Sequence, residues 1–174
     1  IGSMEWYDSL GMSWLNFIQK RPPTVIFGST KNIKALTEKI NVMNDSVGEV
    51  LSNLRLGVFY GKQSESNFKN SEMVSTLESF EVFSPTEHMT FCSECQMHDG
   101  VHLWLDKCIP EILLTDKNET QLIRQASPGT GGELILTNFN KALPLIRYQT
   151  GKKITVISSD VCDCGCSHPR VLFS

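Results

Sequence analysis

Apolar residues recur along this chain in two rhythms, and the change between them falls near residue 89. In residues 5–20, EWYDSLGMSWLNFIQK, the residues Trp6, Leu10, Trp14 and Phe17 stand at helical spacing, which predicts a short amphipathic helix ended by Pro22 and Pro23. TVIFG at 24–28 is a compact β-branched and aromatic run between proline and glycine, and predicts a buried strand. Ser29 or Thr30 is placed to cap a helix running through Lys39, with Ile33, Leu36 and Ile40 on one face. LRLGVFY at 54–60 reads as a second strand, 68–79 as a helix with Phe68, Val74 and Leu77 turned inward, and FEVFS at 80–84 as a third strand. Strand, helix, strand, helix, strand implies a parallel sheet covered by helices.

Beyond residue 89 the runs shorten. MTFCSEC, VHLWL, PEILLT, QLIRQA, GELILTNF, PLIRY, KITVIS and RVLF are strand-like and separated by Gly, Pro, Asp and Asn. That spacing predicts an antiparallel sheet or a partly open barrel. The fold expected is therefore α/β, with helices and a parallel sheet over residues 4–88 and an antiparallel, β-rich subdomain over 89–174. Ile1, Gly2 and Ser3 ahead of Met4 read as a vector scar, or else the whole is an excised piece of a longer chain.

Composition narrows the classes. A chain of 174 residues with 40% apolar and 20% charged side chains is ordinary for a globular protein. A formal charge of −3 gives no electrostatic reason to expect nucleic acid or an anionic membrane as partner. The apolar runs at 24–27 and 109–114 are too short to span a bilayer, and no secretory leader is evident. The cytoplasm is the expected compartment.

All six cysteines lie after position 91. Without a secretory signal, clustering points to metal rather than disulfides. CDCGC at 162–166 is a tight knuckle able to give two ligands to a tetrahedral ion, and CSECQMHDGVH at 92–102 offers Cys92, Cys95, His98 and His102. Thiolate and imidazole suit zinc at about 2.1–2.3 Å, and four protein ligands make a structural rather than a catalytic site. The competing account is a set of reduced cysteines in a strand-rich core. Cys108, in an apolar run, reads as a small buried hydrophobe.

Three polar turns compete for other roles. FGSTKN at 27–32 lacks the G-x-x-x-x-G-K-[ST] pattern of a phosphate loop and reads as a capped strand-to-helix turn. SPGTGGELILT at 127–137 places its glycines before a strand, which favours a β-turn. FSPTEH at 83–88 exposes Thr86, Glu87 and His88 at the carboxyl end of a strand, the edge at which open α/β sheets bind ligands. PLIRYQTGKK at 144–153 reads as a strand running into a turn.

Taken in order, these segments resemble the phenylacetate–CoA ligase family of adenylate-forming enzymes and the related synthetases that adenylylate a deazaflavin coenzyme. GELILTNFNKALPLIRYQTG (132–151) is similar to that family's G-E-L-V-x-T…A-x-P-x-I-R-Y-R-T-x-D stretch, and CDCGCSHPRV (162–171) to its C-x-C-G-R-x-x-P-R-I. ECQMHDGVHLWLDKCIPEIL (94–113) is similar to its E-C…D-G-x-H-x-W-x-D…P-E-I. FSPTE stands where the family has Tyr-Gly-x-Ser/Thr-Glu, and VFYGKQ (58–63) where it has a strand followed by Gly-Gly-Glu.

The resemblance implies an ATP-dependent ligase that forms an acyl adenylate and then a thioester with coenzyme A. It places Phe83 at the adenine-stacking aromatic, Thr86 near the α-phosphate and Glu87 at the magnesium ligand. It selects Cys95, His102, Cys162 and Cys164 as zinc ligands, leaving Cys92 and Cys166 as spares. Two departures accompany it. Lys152 replaces the ribose-binding aspartate, and an ammonium, having only donors, cannot accept the ribose hydroxyls. Tyr60, Gly61 and Lys62 stand at the Gly-Gly-Glu of the adenine pocket. The family's phosphate-gripping loop would precede residue 4 and its lysine-bearing domain would follow Ser174. The expectation is a central fragment with no catalytic residue of its own, with weak binding of Mg-ATP or AMP at most. The alternatives are a zinc-stabilised scaffold, or one piece of a split ligase completed by a protein partner or by self-association.

Overall fold

The computed structural model describes residues 20–29, 31–32, 52–60, 77–83, 92–115 and 119–174. Strand dominates them: ten strands occur, pairing among them is mixed, and helix is confined to Lys20, Lys31–Asn32 and a 3-10 turn at Ile123–Gln125. The helices expected over 5–20 and 30–39 lie outside the described residues apart from those positions. The end of the one expected over 68–79 is corrected, because Leu77 sits in a bend and Glu78 and Ser79 already belong to a strand. The strand therefore begins at Glu78, two residues before the expected Phe80.

The chain divides into two compact units, Ile1–Phe59 with Glu65–Ser79, and Tyr60–Ser64 with Phe80–Ser174. In the first, β1 (Val25–Ser29) and β2 (Leu56–Tyr60) occupy the two expected strand positions. The Arg55 and Leu56 N–H groups donate to the Thr24 carbonyl at 2.9 and 3.3 Å, and the Glu78 N–H donates to the Arg55 carbonyl at 3.2 Å. β1 is not the buried strand its composition suggests. Val25 and Phe27 share one face and are exposed, whereas Ile26 between them is half-buried. The capped turn after β1 is present: the Asn32 N–H donates to Ser29 Oγ at 3.2 Å.

The second unit takes the carboxyl end of β3 (Glu78–Phe83) and then β4 (Cys92–Glu94), β5 (Val101–Leu103), β6 (Ile109–Leu114), β7 (Glu119–Leu122), β8 (Gly131–Asn138), β9 (Leu145–Ser158) and β10 (Arg170–Phe173). Their order is β3-β4-β5-β10-β9-β8-β6-β7, with every neighbouring pair antiparallel. Among the described residues no pairing joins β3 to β7. QLIRQA yields strand only to Leu122 and then turns into the 3-10 segment. PLIRY and KITVIS, expected as separate strands, are one strand of fourteen residues.

Alternation fixes which face is buried. Leu134 and Leu136 of β8, Ile112 of β6, Ile154 and Val156 of β9, and Val171 of β10 point to one side and form the core. Each such side chain contributes about 1.5–3 kcal/mol on leaving water. Cys92 and Cys108 belong to the same cluster. The Thr130 N–H donates to the Ser127 carbonyl at 3.1 Å across Pro128 and Gly129, whose φ is +85°; this is the turn chemistry expected before β8. No described helix is long and apolar enough to cross a membrane.

Two adjacent glycines test this packing. A Cβ on Gly132 would lie 2.2 Å from the backbone oxygen of Leu113 on β6, whereas one on Gly131 meets nothing nearer than 3.9 Å. Gly132→Ala is expected to destabilise by about 1–3 kcal/mol, and Gly131→Ala to stay within roughly 0.5 kcal/mol of the parent. Urea unfolding of the two variants side by side measures the difference.

Candidate functional site

The chemistry-bearing residues concentrate where β4 and β5 meet the segment entering β10. Cys95 follows β4 in a tight turn closed by the His98 N–H on the Cys95 carbonyl at 2.9 Å. His102 sits at the centre of β5, paired with Ser93 on one side and Arg170 on the other, and is 3% exposed. Cys162 and Cys164 lie in the CDCGC knuckle. There the Gly165 N–H donates to the Cys162 carbonyl at 2.8 Å and the Cys162 N–H to the Cys166 carbonyl at 2.9 Å. Gly165 holds φ at +86°, which lets the knuckle turn within five residues.

The ligand atoms of Cys95, His102, Cys162 and Cys164 all lie within 4.8 Å of one another, so this group could hold a metal ion. The Sγ atoms of Cys95 and Cys162 are 3.9 Å apart, and Cys164 Sγ is 3.6 Å from His102 Nε2. A tetrahedral zinc with ordinary bond lengths sets two sulfurs about 3.8 Å apart and a sulfur and an imidazole nitrogen about 3.6 Å apart. The donor set therefore fits zinc in both kind and spacing. His102 is also held in the right tautomer: a carbonyl can only accept, so Nδ1–H donates to the His168 carbonyl at 2.9 Å and the Nε2 lone pair faces the sulfurs. The His168 ring accepts the Leu105 N–H through Nδ1 at 3.3 Å and so braces the segment that presents this carbonyl.

The thiols respond to this crowding. Burial, with the neighbouring sulfurs adding to it, pushes Cys95 up to about 11. Cys164 is lowered, chiefly by the backbone N–H of Cys166. Thiolates packed this closely repel one another, and a divalent cation among them removes that cost.

The other candidates fall elsewhere. Cys92 is fully buried in the core, and burial together with nearby Cys108 drives its thiol far above the ordinary range. Cys108 is buried with its thiol directed to the Trp104 carbonyl at 3.6 Å, the small hydrophobe expected. Cys166 is half-buried and outside the four-donor group. His98 turns away to meet Glu94 at 3.2 Å and stacks on Phe80 at 5.3 Å.

Of the nucleotide candidates, Thr86, Glu87 and Gly61 lie outside the described residues. Phe83 is half-buried with its ring against Phe173, centroids 4.0 Å apart. Tyr60 is exposed at the end of β2. Lys152 does not sit in a terminal turn. It is inside β9, where Glu133 pairs with Lys153 and Ile135 with Gln149, so that residues 150–152 bulge opposite Leu134. At the bulge, Thr150 Oγ1 donates to the Leu134 carbonyl at 2.7 Å and accepts the Lys152 N–H at 3.1 Å. Gly151, at φ +67°, donates its N–H to Glu133 Oε1 at 3.0 Å. The bulge keeps Lys152 exposed. Sequence reasoning passed over His168, since its part is played by a backbone carbonyl that no spacing rule marks.

No protein-family model matches the chain, and no curated protein matches it. Solved structures do. A crystal structure of 2-hydroxyisobutyryl-CoA ligase in an open conformation, in complex with 2-HIB-AMP and CoA, is similar with a TM-score of 0.74 at 18% identity. The match covers 98% of this chain and 39% of that one. NpsA-ThdA, an artificially fused adenylation–PCP di-domain from Klebsiella oxytoca, matches with a TM-score of 0.54 at 13% identity over 97% of this chain and 31% of that one. CmiS6 matches at 0.52 and 13% identity, over 92% of this chain and 42% of its own. The chain thus shares the fold of part of these proteins and spans about two fifths or less of their length.

Replacing Thr150 with Val keeps the shape of the bulge but removes both hydroxyl bonds. Thr150→Val is expected to cost about 1–3 kcal/mol, read as a shift in denaturation midpoint with an unchanged slope.

Proposed function

We propose that the chain is part of an adenylate-forming, acyl-CoA ligase-like domain that carries a structural zinc ion and binds ATP or AMP weakly at most. The observation that carries this reading is the likeness over 98% of the chain to 2-hydroxyisobutyryl-CoA ligase. The motif resemblance to the phenylacetate–CoA ligase group, in the same order along the chain, supports it.

In this reading zinc is held by Cys95, His102, Cys162 and Cys164. A full set of four protein ligands leaves no position for substrate, so the ion supplies a cross-link rather than a reaction. The nucleotide would meet Phe83 at the adenine, Tyr60 and Gly61 beside it, Thr86 at the α-phosphate and Glu87 through magnesium, an oxygen-seeking cation. Lys152 would weaken the grip on ribose. Adenylation and thioester formation with coenzyme A belong to the larger assembly, whether the remaining parts lie on the same chain, on a second protein or in an oligomer. The cytoplasm is the compartment that suits the reduced thiols. A zinc-clipped scaffold is the second reading, favoured by the donor-only ammonium of Lys152 where a ribose acceptor is needed.

Elemental analysis of the purified protein is expected to give about one zinc per chain after dialysis. Loss of an ion present at a thousand times its dissociation constant removes about 4 kcal/mol, a fall of roughly 10 °C in melting temperature for a chain of this size. Metal-free protein of unchanged stability would end the zinc reading. Calorimetric titration with Mg-ATP and then AMP tests the nucleotide site separately. Lys152→Asp is expected to tighten AMP binding about tenfold by restoring two accepted hydrogen bonds. Absence of heat from both proteins at millimolar nucleotide would favour the scaffold.

A further inference from the structure

The outer face of the β6–β8–β9 sheet carries a second concave surface that the nucleotide and zinc readings do not use. Alternation along β6 and β8 sends Ile112 and Leu134 into the core and Leu113 and Ile135 to the opposite side. There, with Leu145, Ile146, Thr120 and Arg147, they line an open concavity of about 670 Å³. That volume is within the range of small-molecule sites. Its lining is mixed, with apolar side chains beside Thr120, Tyr148 and Gln149, and the one cation among the lining residues is fixed in place.

Arg147 is held in an unusual way. Its φ is +51°, in the left-handed region that a long side chain rarely adopts. It lies in a bulge, because Leu136 pairs with Tyr148 and Asn138 with Leu145, which leaves one extra residue on β9. Three strands clamp it: the backbone N–H donates to Thr137 Oγ1 at 2.9 Å, Nε donates to Glu111 Oε2 at 3.2 Å, and Nη2 donates to Thr120 Oγ1. A guanidinium has five N–H donors, and these contacts use two of them. The Glu111 carboxylate takes the Nε edge, so the donors of Nη1 are left for a ligand. Strain of this kind persists where the surroundings enforce it, and bulges re-aim side chains next to binding sites.

We infer that this concavity binds a small amphipathic oxyanion, with the charged head on the remaining donors of Arg147 and the apolar body on Leu113, Ile135 and Ile146. Ile146, 73% exposed, forms the rim. The inference stands independently of the nucleotide reading, since neither Phe83 nor Lys152 lines the surface.

The test titrates the intact chain with hexyl phosphate, 1-hexanol and inorganic phosphate, following backbone amide shifts by NMR. Hexyl phosphate is expected to shift residues 113, 135 and 145–147 saturably and to bind at least about tenfold tighter than either fragment probe, as charge-assisted bonds joined to apolar burial require. Arg147→Gln is expected to reduce its affinity to that of hexanol. Ile146→Glu, at the exposed rim outside the clamp, removes one apolar contact and places a carboxylate beside the guanidinium, and is expected to weaken hexyl phosphate at least about tenfold more than it weakens hexanol. It decides the matter if the arginine variant does not fold. Equal binding of all three probes, shifts located elsewhere, or undiminished binding by the folded variants would overturn the inference.

Discussion

The Cys/His group of the second unit depends on the register of β5. Pairing Ser93 with His102 on one side and Arg170 with His102 on the other places the imidazole within reach of thiols from both flanking connections. A one-residue slip of a strand turns its side chains to the opposite face. Slipped in this way, β5 would send His102 to the other face and replace it with Val101 or Leu103, both now buried. Register is therefore specified twice, by apolar residues that must face the core and by a polar one that must face the sulfurs. His102 is one of few polar side chains buried among the described residues, and its carbonyl partner at His168 satisfies the nitrogen that the sulfurs do not.

Much of this was legible in the chain. The clustering of cysteines with nearby histidines pointed to a group able to hold a metal ion, and four of those donors do meet. Choosing among Cys92, Cys95, His98 and His102 was beyond spacing alone, because Cys92 belongs to a core determined by long-range packing. His98 is drawn off by Glu94 and Phe80, contacts that depend on how β3 meets β4. The antiparallel strands after residue 89 were visible through their alternation and turn residues. The joining of PLIRY and KITVIS was not, since Thr150 and Gly151 read as a turn until Thr150 and Glu133 bind the excursion back onto β8. Local chemistry signalled a bend, and tertiary pairing turned it into a bulge.

The two irregularities of β9 also divide labour along one strand. At the first, Arg147 turns toward Glu111 and Thr120 on the outer face; at the second, Lys152 is left exposed at the crest of a hydrogen-bonded loop. Between and beyond them the strand keeps ordinary pairing, and its carboxyl half supplies Ile154 and Val156 to the core. A strand can thus carry exposed polar side chains at one end and packing at the other without breaking the sheet.

The span between Cys95 and Cys162 is 67 residues, and it encloses β5 through β9 entire. An ion held at both ends would close that whole length into a ring. If the grip persisted in the unfolded chain, it would remove loop-closure entropy worth about 4 kcal/mol on the scale established for covalent links. Its influence would then lie less in any contact within the folded sheet than in the conformations denied to the chain before it folds. Five strands would search for their partners inside a closed loop, with the first and last turns of the search already joined.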